Sequence, residues 1–167
     1  MTTATPLRTL FLCTGNSARS ILAEGILRHH GGERFRAYSA GSTPTGMPNP
    51  FAIATLRDHG INPDFAASKS WLNFSGADVP AMDLIVTVCD NAAGETCPIW
   101  PGHPAMVHWG VPDPAAVIGD DATIAAAFAV TFEQMYRRIT ALLAAQPTRA
   151  TIAGIAADIA VTEGRLS

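Results

Sequence analysis

Cysteine, lysine and long apolar runs are what this chain has least of. It carries three cysteines, and Lys69 is the single lysine among eleven basic residues. No apolar run approaches the roughly 20 residues that span a bilayer, so no membrane-crossing helix is expected. There is no basic cluster and the net charge is −3, which argues against nucleic acid or an anionic membrane as partner. Residues 1–6 lack the charged and apolar regions of a signal peptide, so a cytoplasmic protein is expected. In that compartment three cysteines suit catalysis or redox chemistry better than a disulfide framework. The five histidines show no metal-ligand spacing, and Cys89 and Cys97 lack a second pair, so neither a metal nor another cofactor is expected. With 48% hydrophobic and 15% charged residues, the chain can bury a core and is not disordered.

The apolar run 7–13 reads as a buried central strand. Helical spacing follows from Ala18 to the pair Gly31-Gly32, then a second strand at 35–40. Asn49-Pro50 caps a helix that stops at Gly60. Short helical pieces are expected around 68–74, a third strand at 83–88 and a fourth at 106–109. A long amphipathic helix carries Ile124, Phe128, Phe132, Met135, Ile139 and Leu142 to Pro147. Residues 151–161 suggest one more short helix. The alternation predicts an α/β fold: one domain, a four-stranded parallel sheet with helices on both faces. Residues 7–146 form that domain and 147–167 a C-terminal extension. Cys13, Cys89 and Asp113 each follow a predicted strand, which brings them to one edge of the sheet.

The chemistry concentrates in Cys13-Thr14-Gly15-Asn16-Ser17-Ala18-Arg19-Ser20, between the first strand and the first helix. A cysteine, five residues and an arginine form a cradle for a tetrahedral oxyanion. Backbone N–H groups of residues 14–19 and the helix N-terminus face the anion, and Arg19 adds a planar fork. These donors are expected to lower the Cys13 pKa and supply a thiolate nucleophile. Ser20 can stabilise that thiolate, Gly15 permits a left-handed turn, and Asn16 can bridge loop carbonyls. Asp113, held between Pro112 and Pro114, suits a general acid, or simply a turn aspartate. Cys89 and Cys97 would lie about 12 Å apart in a helix, whereas a disulfide requires about 4.4–6.8 Å. The segment between them, with Gly94, must unwind to join them, which suits a redox relay; packing or a metal remain other readings of the two thiols.

Cys13–Ser20, Ser39-Ala40-Gly41, Val88-Cys89-Asp90, Cys97-Pro98 and His108-Trp109-Gly110 with Asp113-Pro114 together resemble the low-molecular-weight tyrosine phosphatase superfamily. The closer resemblance is to its arsenate reductase branch, the ArsC type coupled to thioredoxin, and it covers residues 7–143. The phosphatase branch usually places aromatic residues after its Asp-Pro, where this chain has Ala115 and Ala116. The resemblance implies a three-thiol cascade. Cys13 attacks arsenate, Asp113 assists loss of a hydroxyl, and Cys89 attacks Cys13 as arsenite leaves. Cys97 then leaves a Cys89–Cys97 disulfide for an external reductant, with no bound cofactor.

Three departures from that pattern stand out. Ala18 replaces a further cysteine found in some relatives. The Cys89–Cys97 spacing is one residue longer, so the donor could be thioredoxin or glutaredoxin with glutathione. Some relatives bind potassium through residues matching Asn16, Glu24 and Ser39 plus an aspartate, and Lys69 falls at the aspartate's position. Its ammonium is expected to replace the cation, pairing with Glu24 and bracing Asn16. Two other readings stay open: a phosphatase using Cys13, Arg19 and Asp113 alone, and a non-catalytic oxyanion-binding or redox-sensing module.

Overall fold

The computed structural model describes residues 4–89, 100–102 and 104–164; Cys97 and the segment that carries it lie outside the described residues. Four strands, β1 (Leu7–Cys13), β2 (Phe35–Gly41), β3 (Leu84–Thr87) and β4 (Ala105–His108), form one sheet. Their order is β2-β1-β3-β4 and every pairing is parallel. β1 lies inside the sheet and is buried on both faces, which is why it reads as a near-continuous apolar run. Leu7, Phe11 and Cys13 face one core while Leu10 and Leu12 face the other, the two-residue alternation of a strand.

Among the described residues four α-helices, α1 (Arg19–His30), α2 (Pro50–Asp58), α3 (Asp121–Ala144) and α4 (Ile152–Gly164), pack with the sheet. Their apolar stripes, with the odd-numbered side chains of β1 and the even-numbered ones of β3, make the larger core. The second face is covered by Met82, Trp100 and the 3-10 turn Trp71–Phe74. The long helix starts three residues before its first stripe residue because the Asp120 side chain accepts from the Thr123 N–H and caps it. Asn49 caps α2 in the same way, with Pro50 in its first turn. No helix among the described residues is long and apolar enough to cross a membrane.

At the end of the sheet remote from the strands' carboxyl ends, one arginine ties three segments together. Arg149 Nε donates to Asp83 Oδ1 at 2.7 Å and its Nη2 to the Pro6 carbonyl at 3.0 Å. Asp83 Oδ2 accepts the Arg8 N–H at 2.8 Å. Arg149→Ala removes charge-assisted bonds whose aspartate is largely buried, so unfolding free energy should fall by about 1–2 kcal/mol. Urea unfolding checks this, and a midpoint unchanged with the same slope would refute it.

Candidate active site

The sheet order reverses direction between β1 and β3, because β2 lies on one side of β1 and β3 on the other. At such a switch point a crevice opens beyond the strands' carboxyl ends. Leu12 pairs with Thr87 in register, and the Val88 N–H donates to the Leu12 carbonyl at 2.9 Å. Residues 13 and 89 therefore leave adjacent strands side by side. Both cysteines are buried and free of a disulfide, and the Cys89 thiol lies close enough to Cys13 to be the largest influence on its protonation. Thr14 Oγ1 lies 3.5 Å from Cys89 Sγ, so the first residue of the loop also touches the second thiol.

The expectation of a lowered Cys13 pKa is corrected here. The hydrogen bond to Cys89, then burial and the proximity of the second thiol, push the Cys13 thiol far up. Arg19 and the Gly15 N–H pull the other way without prevailing. The sequence displays the loop's donors but not the thiol from a distant strand.

The loop points its donors inward because its carbonyls are engaged outward. The Thr43, Thr45 and Asn49 N–H groups donate to the Thr14, Gly15 and Ser17 carbonyls at 2.9, 3.0 and 2.9 Å. Ser68 Oγ adds a second bond to the Gly15 carbonyl at 3.0 Å. In a trans peptide the N–H opposes the C=O, so each outward carbonyl turns the next N–H inward. Ala18, at the N-cap of α1, offers no side-chain cap, and the first turn of α1 has no acidic residue. The helix thus presents uncapped N–H groups and an uncompensated dipole to an anion.

Arg19 Nη1 donates to the Val111 carbonyl at 3.2 Å, and Nη2 lies 3.5 Å from Asp113 Oδ2. Its Nε is buried with no hydrogen-bond partner, a cost that an oxyanion in the loop would offset. Asp113 is partly exposed, and its Oδ1 accepts the Ala115 N–H at 3.0 Å, which fixes the carboxyl against the turn that follows. Ala115 and Ala116 are exposed, so no aromatic ring directly follows Asp113-Pro114 at the mouth.

Beneath the loop lies a buried polar network. Asn16 Nδ2 donates to Ser20 Oγ at 2.8 Å and Ser39 Oγ at 2.9 Å. Ser39 Oγ donates to Glu24 Oε1, and Arg28 Nε to Glu24 Oε2 at 2.7 Å. Lys69 Nζ sits 3.8 Å from Glu24 Oε1 and donates to the Ala67 carbonyl at 2.7 Å. Burial lowers the Lys69 pKa, opposed by Glu24 and reinforced by Arg28.

Two details differ from the sequence reading. Asn16 takes hold of hydroxyls and of the Lys69 main-chain N–H, at 2.8 Å, rather than loop carbonyls or the ammonium. The left-handed residue is Asn16 itself, φ 47°, and not Gly15; asparagine tolerates that region because its short amide bonds locally. Gly15 is small for another reason, since a Cβ there would come within 3.1 Å of Thr45 Cγ2. Thr45, Ser68 and Gly41 escaped the sequence reading as supports of the loop. A Cβ on Gly41 would stand 2.4 Å from the Thr14 carbonyl oxygen, and a glycine ending a strand was the available sign of that close approach.

Among the described residues no group of three His, Cys, Asp or Glu could hold a metal ion. The family model for low molecular weight phosphotyrosine protein phosphatases matches residues 8–151. An arsenate reductase of Bacillus licheniformis is 39% identical over 112 residues, covering 66% of this chain and 76% of the relative. One from Halalkalibacterium halodurans is 36% identical over 129 residues, covering 77% and 89%. A solved structure of an arsenate reductase in the phosphate-binding state superimposes with a TM-score of 0.65 at 25% identity, covering 83% of this chain and 97% of the other. The cradle at the end of β1 and these likenesses lead to one conclusion: the chain belongs to the low molecular weight phosphotyrosine protein phosphatase family.

Proposed function

We propose that this protein is an arsenate reductase that transfers two electrons from its own thiols to arsenic. The observation that carries the reading is the contact between the Cys13 and Cys89 thiols. A phosphatase needs one nucleophile, and a second buried thiol against it would hinder ionisation without helping hydrolysis. In a reductase that same contact places the second nucleophile at the sulfur it must attack.

Arsenate enters the loop and meets the inward N–H groups of residues 14–19 and the unpartnered Nε of Arg19. Cys13 sulfur bonds to arsenic, and Asp113 protonates the hydroxyl that departs as water. Cys89 sulfur then attacks Cys13 sulfur. The arsenic–sulfur bond breaks with its electron pair going to arsenic, which leaves as arsenite, and a Cys13–Cys89 disulfide remains. Cys97 attacks Cys89, frees the Cys13 thiol, and forms a Cys89–Cys97 disulfide. Thioredoxin, or glutaredoxin with glutathione, reduces that bond in the cytoplasm. In balance, arsenate and two thiols give arsenite, a disulfide and water. Phosphate and sulfate occupy the same loop as unreactive mimics. Ser20, held by Asn16, serves as a hydroxyl donor to the Cys13 sulfur when it carries charge.

Reduced protein mixed with arsenate and no external reductant tests the reading. One arsenite per chain with a Cys89–Cys97 disulfide, found by mass mapping, supports it. Phosphate-ester hydrolysis without arsenite, unaffected by Cys97→Ser, would favour the phosphatase reading.

Asn16, Glu24, Ser39 and Lys69 brace the loop in this proposal, with the Lys69 ammonium supplying the positive charge beside Glu24 that a potassium ion supplies in some relatives. Lys69→Met should therefore cost about 1 kcal/mol of stability in sodium buffer. Potassium should not restore it, because the methionine side chain fills the space left by the lysine. Thermal unfolding in sodium and potassium chloride reads both effects, and an unchanged midpoint in each salt would remove the brace.

A further inference from the structure

A cleft of about 700 Å³ lies at the end of the sheet opposite the Cys13 loop. The seven residues of β1 separate the two by about 20 Å, so the cleft takes no part in holding the oxyanion there. Its walls come from the chain before β1, the start of β2 and the turn after α3. Pro6 and the buried Leu7 and Pro147 give it an apolar floor, while Glu33, Arg34, Arg36 and Arg149 are exposed along it.

The sequence has no run of basic residues, and the fold makes the cluster. Arg8 stands in register with Arg36 on the neighbouring strand, and so on the same face of the sheet. Like charges side by side on neighbouring strands repel. Arg149 is paired with Asp83. Among the described residues no carboxylate, Glu33 included, lies within ion-pair distance of Arg8, Arg34 or Arg36. Arg34 Nη2 donates to the Pro147 carbonyl at 3.1 Å, which seats that guanidinium on the cleft wall. Arg36 Nη1 donates to the Phe35 carbonyl at 3.0 Å. Each arginine spends one nitrogen on the main chain, so Arg36 keeps its Nε and Nη2 donors and Arg34 its Nε and Nη1 donors. Unpaired positive charge along a concave wall focuses potential toward an anion.

We propose that this cleft binds a diphosphate group, free or carried by a nucleotide-sized molecule. The Nε and Nη2 fork of Arg36 takes one phosphate and Arg34 takes the other. A diphosphate carries charge at both ends and engages the two guanidiniums at once, whereas a single phosphate satisfies one fork. The volume lies within the range of small-molecule sites, roughly 300–1,000 Å³, and leaves the apolar floor for a body attached to the diphosphate. This site does not depend on the arsenate reductase reading.

The test uses the full chain, labelled with nitrogen-15 and titrated with pyrophosphate at constant ionic strength, without divalent cations. Two groups of amide resonances are followed: residues 33–36 at the cleft and residues 14–19 at the Cys13 loop, which draws the same anion through its own donors. The cleft group is expected to shift saturably, with a dissociation constant of its own. Arg36→Met should weaken that binding at least about tenfold, the size of a lost charge-assisted bond, and leave the affinity read at the loop within twofold. Arg34→Met should do the same and serves if Arg36→Met fails to fold. Adenosine diphosphate separates the two sources of the group. Binding at least about tenfold tighter than pyrophosphate, with Overhauser contacts from its base to the Leu7 methyls, assigns the cleft to a nucleotide. Affinity below that assigns it to the diphosphate alone. Shifts confined to the loop group, cleft shifts that never saturate, or cleft binding undiminished in the folded variants overturn the proposal. So does inorganic phosphate that binds the cleft as tightly as pyrophosphate.

Discussion

Cys89→Ser protein should release arsenite from arsenate at least about 10⁴-fold more slowly than the unmodified chain, the scale on which removal of an obligatory nucleophile is felt. Its hydrolysis of a simple aryl phosphate should persist within a few fold, since Cys13, Arg19 and Asp113 are untouched. The split between the two reactions is the informative quantity. Equal loss of both would mean that Cys89 supports the loop's shape, and retention of arsenite release would remove it from the relay. A companion variant tests the electrostatics. The hydrogen bond to Cys89 is the largest influence raising the Cys13 pKa, so Cys89→Ala should lower that pKa. Alkylation of Cys13 by iodoacetamide should then become faster at neutral pH, and the rise of its rate with pH should move to lower pH. An unchanged alkylation profile would show that burial alone holds the proton.

Arg19→Lys should lower kcat/KM for arsenate by about 10²–10³, the loss typical of a preorganised donor aimed at developing charge. The physical reason is the number and placement of the donors. Arg19 engages the Val111 carbonyl, approaches Asp113 and still keeps a buried Nε for the anion. An ammonium at the end of a flexible stem cannot hold those three positions at once. Both arsenate reduction and phosphate-ester hydrolysis should fall together, unlike the Cys89→Ser result. Activity within threefold of the unmodified chain would show that the loop amides alone bind the anion. Steady-state kinetics with separate kcat and KM distinguishes weaker binding from a slower chemical step.

Local patterns made much of this legible from sequence. β1 is a buried central strand, so its run is apolar apart from Arg8 and Thr9, and the loop follows it without a gap. Asp113 sits between prolines that leave its backbone little freedom. Strand alternation with helices gave the parallel sheet, and hence the shared edge for Cys13 and Cys89. What escaped depends on contacts between distant segments. The thiol contact that reverses the expected Cys13 pKa arises from the pairing of β1 with β3. The left-handed residue proved to be Asn16, whose amide is held by Ser20, Ser39 and the Lys69 main-chain N–H, while Gly15 lies close against Thr45. The Lys69 main-chain N–H, rather than its charge, reaches Asn16, a distinction between backbone and side chain that residue type cannot express. The strand ends differed by about one residue, where pairing rather than apolar character decides.

The uncapped first turn of α1 also has a thermodynamic consequence. Most helices obtain a stabilising partner at that end from their own chain, whereas this one leaves the position to a solute. The folded state is therefore linked to the surrounding oxyanion pool. An anion present at a hundred times its dissociation constant adds about 2.7 kcal/mol to the unfolding free energy. Phosphate would then act in two opposed ways in a cell, competing with arsenate for the loop while protecting the reduced protein from unfolding. The chain's lifetime between turnovers would then depend on the same ion that competes with its substrate.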